Sequence, residues 1–126
     1  SDVYKRQAKE VLKTIAETPV AGRRIAVLGD MLELGDAAAK LHASLAEEID
    51  HQKIASVYLV GEQMKNLKDK LIQEGYPAED IHHYAASDLQ QLIADLTATL
   101  TGEDIVLLKA SHGIHLEEVL TALKAE

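Results

Sequence analysis

Four short apolar runs, each followed by a helical stripe, constrain this chain more than any other feature in it. The runs are Ile25 to Gly29, Ile54 to Gly61, Ile81 to Ala85 and Asp104 to Lys109. Ahead of the first, Ala8, Val11, Leu12, Ile15 and Ala16 recur at the spacing of one helix face. Thr18-Pro19 ends that helix, because proline pushes the residue before it out of helical geometry. Ala38, Leu41, Leu45, Ala46 and Ile49 predict a second helix with Asp36 as its N-cap. Met64, Leu67, Leu71 and Ile72 predict a third, terminated at Gly75. Ser87 with Gln90 carries a capping-box signature ahead of the stripe Leu89, Leu92, Ile93, Leu96 and Leu100. Leu116, Val119, Leu120 and Leu123 predict a last helix.

The order is therefore one helix and then four strand–helix units. Strands with continuous apolar centres suit burial on both faces, and alternation with helices implies right-handed crossovers. The expected fold class is α/β, a three-layer Rossmann-like domain with a mostly parallel sheet. Ile81 to Ala85 is the weakest strand and is placed nearer an edge. Residues 1–7 are expected to be a non-native or frayed leading segment, and residues 8–126 the domain itself.

Composition removes several function classes. The formal charge is −8 and the lysines and arginines are scattered, so no basic stripe for nucleic acid is visible. With no Trp or Phe and four Tyr there is little material for base stacking. No apolar run is long enough to span a membrane and no signal peptide opens the chain. Cysteine is absent, so there is no disulfide framework or thiolate site, which suits a cytoplasmic setting. The six histidines form no pattern expected of a metal site: His82 and His83 are adjacent in a strand and point to opposite faces, and Gly113 interrupts any helical grouping of His112, His115 and Glu118. His42, beside the buried stripe of the second helix, is expected to be a packed or rim histidine. There is no G-x-G-x-x-G, G-x-x-x-x-G-K-[ST] or G-x-S-x-G motif.

In open α/β sheets, ligands sit beyond the carboxyl ends of the strands. Three loops fall there: 29–35, 61–62 and 110–115, of which the middle one carries no obvious chemistry. In the first, Gly29 permits a sharp turn and Asp30 stands at a strand tip, where its carboxylate either accepts ribose hydroxyls or caps a turn. In the last, Lys109 ends an apolar strand and must take its ammonium to the loop face or to water. Ser111, His112 and Gly113 follow, where a hydroxyl and backbone amides either hold an anion or start the last helix.

Taken together, these loops resemble a known family. Gly22 through Gly35, with its Gly29-Asp30-Met31-Leu32-Glu33-Leu34-Gly35 core and Leu41-His42 after it, is similar to the start of the C-terminal domain of the Mur ligases. Val60-Gly61-Glu62 and the stretch from Asp104 to Leu120, with Lys109-Ala110-Ser111-His112-Gly113, resemble its later strand ends. The first loop points to the branch that joins D-alanyl-D-alanine to UDP-N-acetylmuramoyl-tripeptide in peptidoglycan synthesis; a sibling Mur ligase or a folylpolyglutamate synthase shares the fold. The resemblance implies a three-domain ATP-dependent ligase in which an N-terminal domain takes the UDP-sugar and a central domain holds ATP and Mg2+. The C-terminal domain closes over ATP and the dipeptide, so this chain alone is expected to be inactive. It further implies that Asp30 binds the ATP ribose and that Lys109, Ser111, His112 and Gly113 face the incoming dipeptide. The chain departs from the family where Ala110 and His112 replace glycine and arginine of a Lys-Gly-Ser-Arg-Gly loop, and Ser1 to Gln7 hold no counterpart of the family's Asn-Ala-Asn-Pro segment. Two readings of other classes are a stand-alone Rossmann-like nucleotide-binding or docking module and a receiver-like signalling domain; the latter wants an acidic pair that Asp30 alone does not supply.

Overall fold

The structure, a computed structural model, describes residues 2–31 and 35–125, with the side chains of residues 2, 4, 35 and 112 left undescribed. Helix α1 (Asp2–Glu17) opens the chain, taking residues 2–7 into the same helix as the stripe behind them. Strands β1 (Arg24–Gly29), β2 (Ser56–Val60), β3 (Ile81–Tyr84) and β4 (Ile105–Lys109) then alternate with α2 (Ala38–Ser44), α3 (Met64–Gln73), α4 (Leu89–Thr99) and α5 (Glu117–Lys124). All described strand pairs are parallel, in the order β3-β2-β1-β4. The strand–helix order and the edge position of β3 follow the sequence pattern.

Alternation along each strand divides the interior in two. Ala26, Leu28, Val57 and Leu59 face α1, α2 and α3, where Leu12, Leu45, Met64 and Leu67 are fully buried. Ile25, Val27, Tyr58 and Val60 face α4 and α5, packing on Leu92, Leu96 and Val119. Each Val, Leu, Ile or Met side chain among these contributes about 1.5–3 kcal/mol through burial. α1 ends before Thr18, and α3 is closed by Gly75 at φ +96°, with the Tyr76 N–H on the Leu71 carbonyl at 2.9 Å.

Four sequence expectations are corrected. Asp36 does not cap α2: it lies in a 3-10 turn (Gly35–Ala37), and α2 itself passes into another such turn at Leu45–Glu48. The Ser87 capping box is not made, because a 3-10 turn (Ala86–Asp88) carries the chain to Leu89 before the α-helix begins. Ile72 and Leu120, assigned to buried stripes, are exposed at the margins of their helices. β4, expected to be buried on both faces, is an edge strand whose five residues are each half-buried.

The first and last strands are latched at their amino ends. Arg23 Nη2 lies 2.9 Å from Asp104 Oδ2, and the Arg23 and Thr101 amides donate to the same carboxylate at 2.8 and 3.0 Å. The Arg23 guanidinium, aided by those amides and opposed by burial, holds the Asp104 carboxyl well below the usual carboxylate range. A carboxyl depressed in the fold stabilises it above the unfolded value, near pH 4, and this contribution is lost as pH falls further. Asp104→Asn is therefore expected to lower stability at pH 7 and to flatten the acid limb below about pH 4 in urea melts taken across pH. An acid limb of unchanged steepness would show that the latch contributes nothing to it.

Candidate functional site

The carboxyl ends of the strands form the rim where a ligand would meet the sheet, and one residue joins three of the rim's elements. Asp30 follows β1 directly. Its N–H donates to the Val60 carbonyl at the end of β2 (3.0 Å), and its carbonyl accepts from the Ser111 N–H beyond β4 (3.2 Å). Its carboxylate accepts from the Met64 N–H at 2.9 Å (Oδ1) and the Gln63 N–H at 3.1 Å (Oδ2). These amides open α3, whose own N-cap residue, Gln63, makes no side-chain cap. A carboxylate here satisfies otherwise orphaned donors and meets the positive end of the helix dipole.

Asp30 is 6 % exposed, with both oxygens engaged. A ribose hydroxyl reaching it would have to share or displace those amides. Of the two sequence readings of Asp30, this geometry gives the cap a definite form: a helix one strand away, rather than a local turn.

The second loop, which had no obvious chemistry in the sequence, makes that approach possible. Gly61 has φ +111°, and a Cβ built on it would stand 2.6 Å from Asp30 Oδ1. Its N–H continues the ladder to the Tyr84 carbonyl (2.9 Å), and its carbonyl accepts from His83 Nε2 at 2.7 Å. Gly29 has a similar part between the first and last loops: a Cβ there would come within 2.7 Å of the side chains of Ala110 and Ile114.

His42 fastens the first loop from below. It is fully buried, its Nε2 accepts from the Met31 N–H at 3.0 Å, and its Nδ1 lies 2.6 Å from the Ala38 carbonyl. An acceptor Nε2 requires the ring proton on Nδ1, so His42 is neutral and bridges loop and helix. It is a packed histidine, as the sequence suggested. The signals for the parts that were missed were a Leu-His pair on a buried stripe and a glycine directly after a strand.

Lys109 is half-buried at the end of β4, in register with Leu28 of β1. Ser111, also half-buried, accepts the Ile114 N–H on its carbonyl at 3.0 Å, within a 3-10 turn region spanning His112–Ile114. Gly113 is exposed on that turn; the His112 side chain lies outside the described residues. The turn corrects one expectation. α5 starts at Glu117, six positions after Ser111, and carries Glu117 and Glu118 in its first turn. Ser111 therefore does not open that helix, and the two carboxylates oppose an anion at its amino end. An open hollow of about 210 Å³ beside Ser111 is lined by Leu108, Ala110, Leu116, Glu117 and Leu120. Thus Asp30 and the Lys109–Gly113 loop share one rim, on neighbouring strands. Among the described residues no group of three His, Asp or Glu side chains converges as a metal site.

The chain matches the family described as Mur ligase, glutamate ligase domain, over residues 5–112. It is 29% identical over 102 residues to the UDP-N-acetylmuramoyl-tripeptide–D-alanyl-D-alanine ligase of Bacillus subtilis, covering 81% of this chain and 22% of that protein. It is 32% identical over 115 residues to the ligase of the same name from Synechocystis, covering 91% of this chain and 24% of that protein. In fold it resembles a MurF ligase from Thermotoga maritima solved in complex with ADP. The TM-score is 0.73 at 22% identity, over 97% of this chain and 26% of that one. The chain thus spans about a quarter of the length of the relatives it matches.

Proposed function

Because this chain belongs to the Mur ligase family, as its C-terminal domain, we propose that residues 8–126 serve a full-length ligase that joins D-alanyl-D-alanine to UDP-N-acetylmuramoyl-tripeptide in the cytoplasm. The observation that carries the reading is the single rim formed by the Asp30 turn and the Lys109–Gly113 loop, which lie one hydrogen bond apart through the Ser111 N–H and the Asp30 carbonyl. The names of the relatives from Bacillus subtilis and Synechocystis support the choice of substrates.

In this reading the tripeptide carboxylate attacks the γ-phosphorus of ATP and ADP leaves. The amine of D-alanyl-D-alanine then attacks the acyl carbon; phosphate leaves, the nitrogen loses a proton and the amide remains. As the family resemblance implies, ATP and Mg2+ are held mainly by the central domain, with the UDP-sugar on the N-terminal one. This domain's part is closure, which excludes water and orients the dipeptide. Lys109 offers an ammonium to the dipeptide carboxylate; Ser111, His112 and Gly113 form the loop around it. Asp30 organises the nucleotide side of the rim, and a direct ribose contact is the further role the family resemblance implies for it.

The test is ATP-dependent amide formation by the full-length protein with D-alanyl-D-alanine, alongside the 126-residue chain, expected to be inactive. Turnover by the short chain alone, or no reaction of the full protein with this dipeptide, overturns the proposal. Lys109→Ala in the full protein is expected to raise KM for the dipeptide about tenfold, the equivalent of about 1.4 kcal/mol, with KM for ATP little changed. The reverse pattern would move Lys109 to the nucleotide side.

A further inference from the structure

β3 ends in two residues that grip Gly61 from both of its polar groups. The Tyr84 carbonyl accepts from the Gly61 N–H at 2.9 Å, and His83 Nε2 lies 2.7 Å from the Gly61 carbonyl. A carbonyl can only accept, so Nε2 carries the proton and the ring donates. Alternation along the strand gives the neighbours other tasks. His83, in register with Leu59, is half-buried on the side of the sheet that Leu59 shares with α3. His82 and Tyr84 take the opposite side. There the His82 ring stacks on Tyr58 at 4.4 Å, and the Tyr84 hydroxyl donates to Asp95 Oδ2 of α4 at 2.8 Å.

Gly61 is the wall against which the Asp30 carboxylate rests. Its φ is +111°, and a Cβ on it would stand 2.6 Å from Asp30 Oδ1. Asp30 Oδ1 and Oδ2 each accept one amide from the opening of α3, those of Met64 and Gln63. An ionised carboxylate has about four acceptor sites, so each oxygen keeps room for a further donor. The direction of that room follows the tilt of the carboxylate, and the tilt is set by the two amides and by the wall. Glycine does not fix such a wall by itself, because it visits positive and negative φ with similar ease. The contacts from β3 supply the restraint, and the one that holds the carbonyl is a side chain. The other half of the rim is fastened separately. The Ser111 N–H donates to the Asp30 carbonyl at 3.2 Å, a backbone contact in which His83 has no part.

We infer that His83 is a positioning residue for the nucleotide: by donating to the Gly61 carbonyl it fixes the tilt of the Asp30 carboxylate and the opening turn of α3. This rests on the ligase reading above, which puts ATP on the Asp30 side of the rim. The full-length protein carrying His83→Ala, His83→Asn or His83→Gln tests it. A Gln side chain can bring an amide N–H to the place of Nε2, whereas Asn is one carbon too short. ADP affinity, measured by calorimetry, should fall about tenfold in the Ala and Asn proteins and stay within about twofold of the parent in the Gln protein. KM for D-alanyl-D-alanine should not move, since the Ser111 contact is untouched. Hydrogen exchange at the Gln63 and Met64 amides should quicken about tenfold in the Ala and Asn proteins only. The amide of fully buried Ala26 should stay slow in all of them, marking an intact fold. Quickened amides with unchanged ADP affinity overturn the inference, since His83 would then be structural only. So does unchanged exchange, which would mean that Gly61 holds without the ring, or a Gln protein as weak for ADP as the Ala protein. An unaltered protein that binds no ADP fails the ligase reading and takes this inference with it, a result seen before any substitution is made.

Discussion

Replacing Gly61 with alanine should destabilise this domain by roughly 3–5 kcal/mol, the largest effect expected of any single methyl added to it. Two costs combine. At φ +111° an L-residue is strained, and the new Cβ would stand within contact distance of the Asp30 carboxylate. The carboxylate cannot retreat without releasing the Met64 and Gln63 amides it holds at 2.9 and 3.1 Å. Thermal melting should fall by more than about 10 °C. The same substitution in an Asp30→Ala background separates the costs: the steric part disappears and the backbone part stays. A melting temperature within a degree of the parent would mean that the second loop relaxes freely and does not brace the rim.

Asp30→Ala itself should cost about 2–3 kcal/mol, because the Met64 N–H is left buried without its charged acceptor and α3 loses its cap. Asp30→Asn keeps one acceptor oxygen and should recover part of that. The experiment distinguishes two jobs for the same carboxylate. If capping dominates, melts of the 126-residue chain shift without nucleotide present, and in the full-length ligase kcat and both KM values deteriorate together. If ribose binding dominates, the melt is unmoved and KM for ATP alone rises. A buried, doubly bonded carboxylate predicts the first pattern.

Much of this was legible in the chain itself, for reasons that are local. Thr18-Pro19, Gly75 and the 3.6-residue stripes act within a few residues, so the order of elements could be read directly. The apolar centres of the strands implied parallel pairing because both faces of such strands need covering. The run from Gly29 to Gly35 and the Lys109 loop carried the family resemblance. The errors were also physical. A side chain suited to capping, such as Asp36 or Ser87, marks a helix start only where no 3-10 turn intervenes, and nothing local forbids one. An apolar run such as Ile105 to Leu108 reads the same in the centre of a sheet and at its edge.

What the sequence determined by itself was therefore the alternation of strands and helices, the hand of their connections and the two loops worth attention, since these follow from period, chirality and turn chemistry. Only the tertiary structure decided that Asp30 caps a helix thirty-odd residues away, that Gly61 leaves room for it, that His42 carries its proton on Nδ1, and that β4 stands at the rim of the sheet. Each of those depends on which strand lies beside which, and neighbours across a sheet are chosen by packing of the whole chain rather than by residues adjacent along it.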